Sequence, residues 1–155
     1  MNVQEHLSHR NVKFETLRHA PADDPADVAE KVEAPLRSVA KNVLLKADGG
    51  YCYVMAVVPA HQDVDLEKAG EALGGSTLAP ASAEEAAVHC PDTEGRILSP
   101  FGSQYNLKVL LDEELSRQEH IHFPGATHEE TIRIRVEEYI QAENPLVVSL
   151  TSSGG

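Results

Sequence analysis

The chain has 155 residues, 41% hydrophobic and 25% charged, an ordinary globular composition for one domain large enough to bury a core without a disulfide or a metal. Thirteen Lys and Arg against 25 Asp and Glu leave a net charge of −12, which argues against non-specific binding to DNA, RNA or an acidic membrane. Met1–His6 lacks the basic start and apolar run of a signal peptide, and no apolar run approaches the roughly 20 residues of a membrane span, so a soluble cytoplasmic protein is expected.

In chain order, Val3 and Leu7 at i,i+4 predict a short amphipathic helix over 2–10. Val12–Leu17 alternates as a strand, and His19–Asp23 is a loop. Asp24-Pro25 has the form of an N-cap followed by Pro at the first helical position, and opens a helix closed by Pro35. A hairpin follows, with arms at about 39–47 and 51–58 joined through Asp48-Gly49-Gly50. Asp65 caps a helix carrying Leu66, Ala69 and Leu73, stopped by Gly74-Gly75. Ser76–Ala79 reads as a short strand, and Ser82-Ala83-Glu84-Glu85 has capping-box spacing for another helix. Residues 90–102 form a long run of turn residues of the kind that often carries function. Strands are expected at 107–112, 120–124, 131–136 and 146–150, with a helix over 137–142. No repeat or internal boundary is visible. Strands and helices interleave without a βαβ rhythm, which predicts an α/β (α+β) domain with a mixed, largely antiparallel central sheet or partial barrel and helices outside. It is expected to span residues 1–150, with 151–155 as a frayed tail.

Most obvious chemistry is absent. His120 and His122 share a strand face, but two imidazoles without a third ligand make a poor zinc site, and histidines facing solvent are expected. His128-Glu129-Glu130 is not a zincin helix motif. Cys52 has core-like neighbours, whereas Cys90 precedes Pro91 in a loop and is expected to be the more accessible; neither is marked as activated. Two cysteines far apart fit a reducing compartment. There is no nucleophile elbow, phosphate loop or dinucleotide fingerprint, so neither metal nor cofactor is expected.

What remains is Lys41, a cation at the mouth of the apolar run Val39-Ala40-Lys41-Asn42-Val43-Leu44-Leu45, together with the 95–102 loop and Phe123–His128. Taken singly, each has a plain reading: a solvated lysine at a strand end, a loop, a turn. Their order and spacing resemble the YbaK family, related to the editing insertion of bacterial prolyl-tRNA synthetases. The resemblance runs over roughly residues 12–148. Phe14–Pro21 is similar to the family's opening strand and His-x-Pro-type loop, Val39–Leu45 to its lysine strand, and Val57–Ala60 with Val64–Leu66 to its pocket strand and capped helix. Asp92–Gly102 is similar to its glycine-proline loop. Gly125-Ala126-Thr127-His128 with Ile132-Arg133 resembles the stand-alone alanyl- or seryl-type deacylase branch. Gly95 and Pro100 are separated by four residues here, where the family usually has three, and Gly125-Ala126 stands where the branch usually reads Ala-Gly.

The resemblance implies trans-editing: hydrolysis of the ester of a mischarged aminoacyl-tRNA, with the aminoacylated CCA end as partner. It implies catalytic roles for Lys41, as a fixed charge on the terminal adenosine or ester carbonyl, and for His128 near the ester or ribose. His19, Asn42, Gly95, Ser99, Pro100, Phe101, Gly102 and Thr127 are the implied substrate-binding residues. An aminoacyl ester is already activated, so oxyanion stabilisation and a positioned water matter more than a strong nucleophile. Two other readings stay open: a non-catalytic ligand- or protein-binding module of the same fold, and a metal-dependent hydrolase. The amino acid, the tRNA and the oligomeric state are left open as well.

Overall fold

A computed structural model describes residues 3–22, 24–48, 52–90, 98–125, 127 and 129–151. Helix α1, Val3–His9, buries Val3 and Leu7 on one face. It closes with Asn11 at φ 57°, while the Val12 and Asn11 N–H groups return to the carbonyls of Leu7 and Ser8 at 3.0 and 3.2 Å. This closure meets the last carbonyls of the helix. It also consumes the start of the expected strand, so β1 runs only over Glu15–Arg18.

The capping signals act as their chemistry requires. Asp24 accepts from the Ala26 N–H at 2.8 Å and starts α2, Pro25–Lys31. Asp65 accepts from the N–H groups of Glu67 and Lys68 and starts α3, Leu66–Ala72. That helix runs out through Gly74 and Gly75 at φ 84° and 98°, conformations open to glycine. Ser82 and Glu85 form the reciprocal capping box of α4, Ala83–His89. The hairpin arms are β2, Ala40–Ala47, and β3, Cys52–Pro59, paired antiparallel from Ala40↔Pro59 to Ala47↔Cys52. The rest comprises β4, Leu78–Pro80; β5, Lys108–Asp112; β6, His120–Pro124; β7, Glu130–Arg135; α6, Val136–Glu143; and β8, Leu146–Val148. The described residues also include 3₁₀ turns at Leu36–Ser38 and Gly102–Tyr105. One further helix, α5 over Glu113–Ser116, has no periodic signal: it carries one buried apolar residue, Leu115, and takes Asp112, the last residue of β5, as its N-cap.

The strands form two sheets rather than one. The smaller is antiparallel, in the order β1-β7-β6; the larger is mixed, in the order β4-β2-β3-β5-β8, with β5 parallel to both its neighbours. Among the described residues one parallel bridge, Val39↔His122, links them, and the arrangement is not a closed barrel. Even-numbered β2 residues Ala40 and Leu44 enter the main core with Met55, Val57, Phe101, Phe123, Ile132, Ile134 and Tyr139. Odd-numbered Leu45 and Ala47 enter a smaller core on the other face of the large sheet, with Val54, Ala56, Val58 and Ala69. This alternation decides where each candidate site residue emerges. Thr151 is buried and bridged to Val64, and residues 152–155 lie outside the described residues.

The cysteines correct the expectation. Cys52, the first residue of β3 and paired with Ala47 at the connected end of the hairpin, is exposed, and Cys90 is buried. The Cys90 N–H closes α4 on the Ala86 carbonyl, which carries its side chain into the main core, and burial pushes its thiol up to about 11. Among the described residues no three His, Cys, Asp or Glu side chains converge in a group that could hold a metal ion, and no helix is long and apolar enough to cross a membrane.

Candidate functional site

The candidate site lies where β2 has an open edge. β4 pairs only with Leu45–Ala47, so over Lys41–Val43 the strand has β3 on one side and, among the described residues, no strand on the other. β6 touches the chain at Val39↔His122, just before this segment, and pairs with β2 no further. Lys41 and Asn42 leave this edge on opposite faces. The Lys41 side chain, 35% exposed, lies on the face of Leu45 and Ala47; its Nζ is 3.3 Å from Oδ1 of Asp63, whose own side chain is 100% exposed. Asn42 turns inward beside Ala40 and Leu44. Its Nδ2 donates to the Leu98 carbonyl at 2.7 Å, while its Oδ1 is buried without a partner among the described residues. A ligand can meet both side chains only across the edge of the strand.

The Ser99-Pro100-Phe101-Gly102 stretch is built into the core. Ser99 Oγ accepts from the Phe101 N–H at 3.0 Å, and the Pro100 carbonyl accepts from the Tyr139 hydroxyl at 2.6 Å. Phe101 is fully buried and packs edge-on against Phe123 and Tyr139. A Cβ on Gly102 would fall 2.6 Å from Val109 Cγ2 and 2.7 Å from the Leu107 carbonyl oxygen. These four residues therefore fix the segment that follows Leu98 and hold Leu98 against Asn42. Gly102→Ala is expected to destabilise the fold by about 1–3 kcal/mol through this overpacking, measured as a lower urea midpoint at unchanged slope.

His19 joins the loop before β7. Its backbone N–H donates to the Glu129 carbonyl at 3.0 Å. Its Nδ1 is 2.8 Å from the Ala20 carbonyl, which can only accept, so Nδ1 carries a proton. In the neutral ring Nε2 then accepts from the Thr131 hydroxyl at 2.7 Å. Thr127 is exposed, with Oγ1 accepting from the Glu129 N–H at 3.2 Å. Gly95 and His128 lie outside the described residues. The structure thus brings Asn42 to Leu98 and His19 to Glu129 and Thr131. Lys41 leaves the Val39–His122 bridge on the same side as His122.

His122 corrects the expectation of solvent-facing histidines. It is 2% exposed because the Leu36–Ser38 turn covers β6, and its Nδ1 lies 3.0 Å from Ser38 Oγ. No local pattern around His122 signals this cover, since the covering residues lie far away in sequence. Burial, reinforced by Arg133, holds the imidazole down at about 4, from an ordinary value of 6.5; His120 acts in the same direction, while Ser38 and Glu15 oppose it. Between those values the unfolded chain binds more protons than the folded one, so this group's contribution is complete above pH 6.5 and shrinks as pH falls towards 4. The loss is up to about 3 kcal/mol. Burial raises Asp112 and Glu143, and that cost is relieved on acidification, opposing part of the loss. Urea midpoints at pH 7 and 4.5 are expected to fall further apart in the wild type than in His122→Gln.

A sequence profile described as the aminoacyl-tRNA editing domain matches residues 19–142. The class defined by this two-sheet fold and by that profile is the editing domain, and the chain belongs to the aminoacyl-tRNA editing domain family. Solved structures share the fold. A scaffold protein used for computational grafting of linear epitopes is 22% identical, covering 97% of this chain and 95% of its own, at a TM-score of 0.84. A candidate trans-editing enzyme for prolyl tRNA synthetase is 22% identical with the same coverages and a TM-score of 0.82. A candidate signal transduction protein from Marinobacter aquaeolei is 16% identical at a TM-score of 0.70, covering 96% of this chain but 30% of its own. No curated protein sequence matches the chain.

Proposed function

We propose that the protein is a cytoplasmic trans-editing hydrolase that removes a wrongly attached amino acid from tRNA, acting as a single domain without metal or cofactor. The observation that carries this reading is the editing-domain match over residues 19–142, which contains the Lys41–Val43 edge and the segments around it. The chemistry is balanced by water alone. Water adds to the ester carbonyl, the bond to the ribose oxygen breaks, and the products are a free amino acid and a tRNA with its terminal diol restored.

Lys41 acts as a fixed positive charge for the oxyanion that develops on the carbonyl, and backbone N–H groups serve the same end. To engage the ester its ammonium gives up Asp63, a contact that costs little because Asp63 is fully exposed. Asn42, with Nδ2 held by Leu98, offers Oδ1 as an acceptor for a substrate N–H such as the α-amino group. His128 and the ribose 2′-hydroxyl are assigned to the water and the leaving oxygen. His19 and Thr127 order the neighbouring turn, and Gly95 to Gly102 shape the amino-acid end. Ser99, Phe101 and Gly102 do so from within the core.

Leu98 beside Asn42 narrows that end and favours a small side chain. A panel of mischarged tRNAs is expected to show faster release of alanine or serine than of larger residues. Equal rates across the panel would remove the size argument. The net charge of −12 predicts modest affinity that weakens further with salt. A second reading, a binding module without turnover, draws on the same fold forming 30% of a larger chain described as a candidate signal transduction protein. Saturable binding of an aminoacyl ester with no release of product would favour it.

A further inference from the structure

His122 and Arg133 stand directly opposite each other across β6 and β7, on the side of the small sheet that faces away from Phe123 and Ile132. Each has one nitrogen already committed. His122 Nδ1 lies 3.0 Å from Ser38 Oγ, and the Ser38 hydroxyl donates its one proton to the Pro35 carbonyl at 2.7 Å. Ser38 Oγ can then only accept, so Nδ1 carries the imidazole proton and Nε2 presents a lone pair. Arg133 Nη2 is held by the Glu15 carboxylate. Of the remaining side-chain nitrogens, His122 Nε2 and the Arg133 Nε–H are buried and have no partner among the described residues. Side chains directly opposed on neighbouring antiparallel strands stand about 5 Å apart at Cβ, so a lone acceptor and a lone donor share one small region. Leaving each unmet in the interior is unfavourable, and ordered partners normally remove that penalty.

We propose that His122 Nε2 and Arg133 Nε form a subsite for a single hydroxyl group. The complementarity is specific. A carboxylate has no proton for Nε2, an ammonium has no lone pair for Arg133, and an apolar group has neither; water and alcohols have both on one oxygen. The location gives the subsite a use. Val39, His122, Arg133 and Glu15 form one row across the bridge and the small sheet. Two residues further along each strand come Lys41, Pro124 and Thr131 with its His19 contact, roughly 7 Å away. A ligand held at Lys41 can therefore extend a hydroxyl towards this position, which water occupies otherwise. The pairing follows from atoms outside the proposed ester site and does not depend on the editing reading.

The test uses the whole ¹⁵N-labelled protein without tRNA at pH 7, so its outcome is separate from that of any deacylation assay. Long-range ¹H–¹⁵N spectra are expected to show His122 protonated at Nδ1, with Nε2 shifted as a hydrogen-bond acceptor. The Arg133 Hε is expected to show a cross-peak to a resident water, lost in His122→Phe and retained in His122→Gln. Adenosine and L-serine are then added beside adenine and L-alanine, which carry no alcohol. Displacement of the water peak by a hydroxylated probe and not by its partner assigns the subsite to a ligand alcohol. Persistence with all four assigns it to water. An Nε2 shift typical of an unbonded ring nitrogen with no water cross-peak would overturn the proposal, as would a coupling showing that Arg133 Nε–H donates directly to His122.

Discussion

Lys41→Ala is expected to slow amino-acid release from a mischarged tRNA by about 10²–10³-fold, the loss typical of removing one group that stabilises a developing oxyanion. The fold is expected to survive nearly unchanged. Lys41 is partly exposed, and its partner Asp63 is fully exposed, a setting in which an ion pair contributes between about 0 and 1 kcal/mol. A large kinetic effect with an unmoved melting temperature separates a site lysine from a solvated strand-end lysine. Lys41→Arg keeps the charge but not the compact ammonium, so it is expected to fall between the two. An alanine variant as active as the wild type would return Lys41 to the surface.

Phe101→Ala has the opposite profile. Phe101 is fully buried, with ring centroids 5.0 Å from Tyr139 and 6.0 Å from Phe123. Truncating a buried Phe costs about 3–5 kcal/mol. For a domain of this size that lowers the melting temperature by roughly 10 °C. Tyr139→Phe removes only the hydroxyl that holds the Pro100 carbonyl at 2.6 Å, leaves a buried acceptor unmet, and is expected to cost about 1–3 kcal/mol. Calorimetry on the two variants checks both figures. Below the melting transition, any activity change in Tyr139→Phe reports on the 95–102 loop, because the lost bond anchors its exit.

The sequence carried the local chemistry of this fold more completely than its long-range contacts. Asp24-Pro25, Asp65, Ser82 with Glu85, and Gly74-Gly75 each act through neighbours within a few residues, and each marks its helix end as expected. The alternation of Ile132, Ile134 and Val136 likewise placed β7 and its buried face. The short α5 was silent because Leu115 alone gives no period. Cys90 was misplaced because a helix end turned into the core looks, residue by residue, like an accessible loop. His122 was misplaced because Leu36–Ser38, which cover it, lie more than 80 residues upstream. Among the site residues, Lys41 and Asn42 adjoin in sequence but emerge on opposite faces, as strand alternation requires. The edge that lets one ligand meet both depends on where β4 stops, and β4 begins more than 30 residues later.

The most direct measurement is the initial rate of amino-acid release from a mischarged tRNA by the purified wild-type protein, in the presence of EDTA, against spontaneous hydrolysis in the same buffer. The expected result is release well above the spontaneous rate for at least one ester with a small side chain, unaffected by the chelator. Release no faster than in buffer for every ester tried would contradict the deacylase, and release abolished by EDTA would contradict catalysis by Lys41 and water alone.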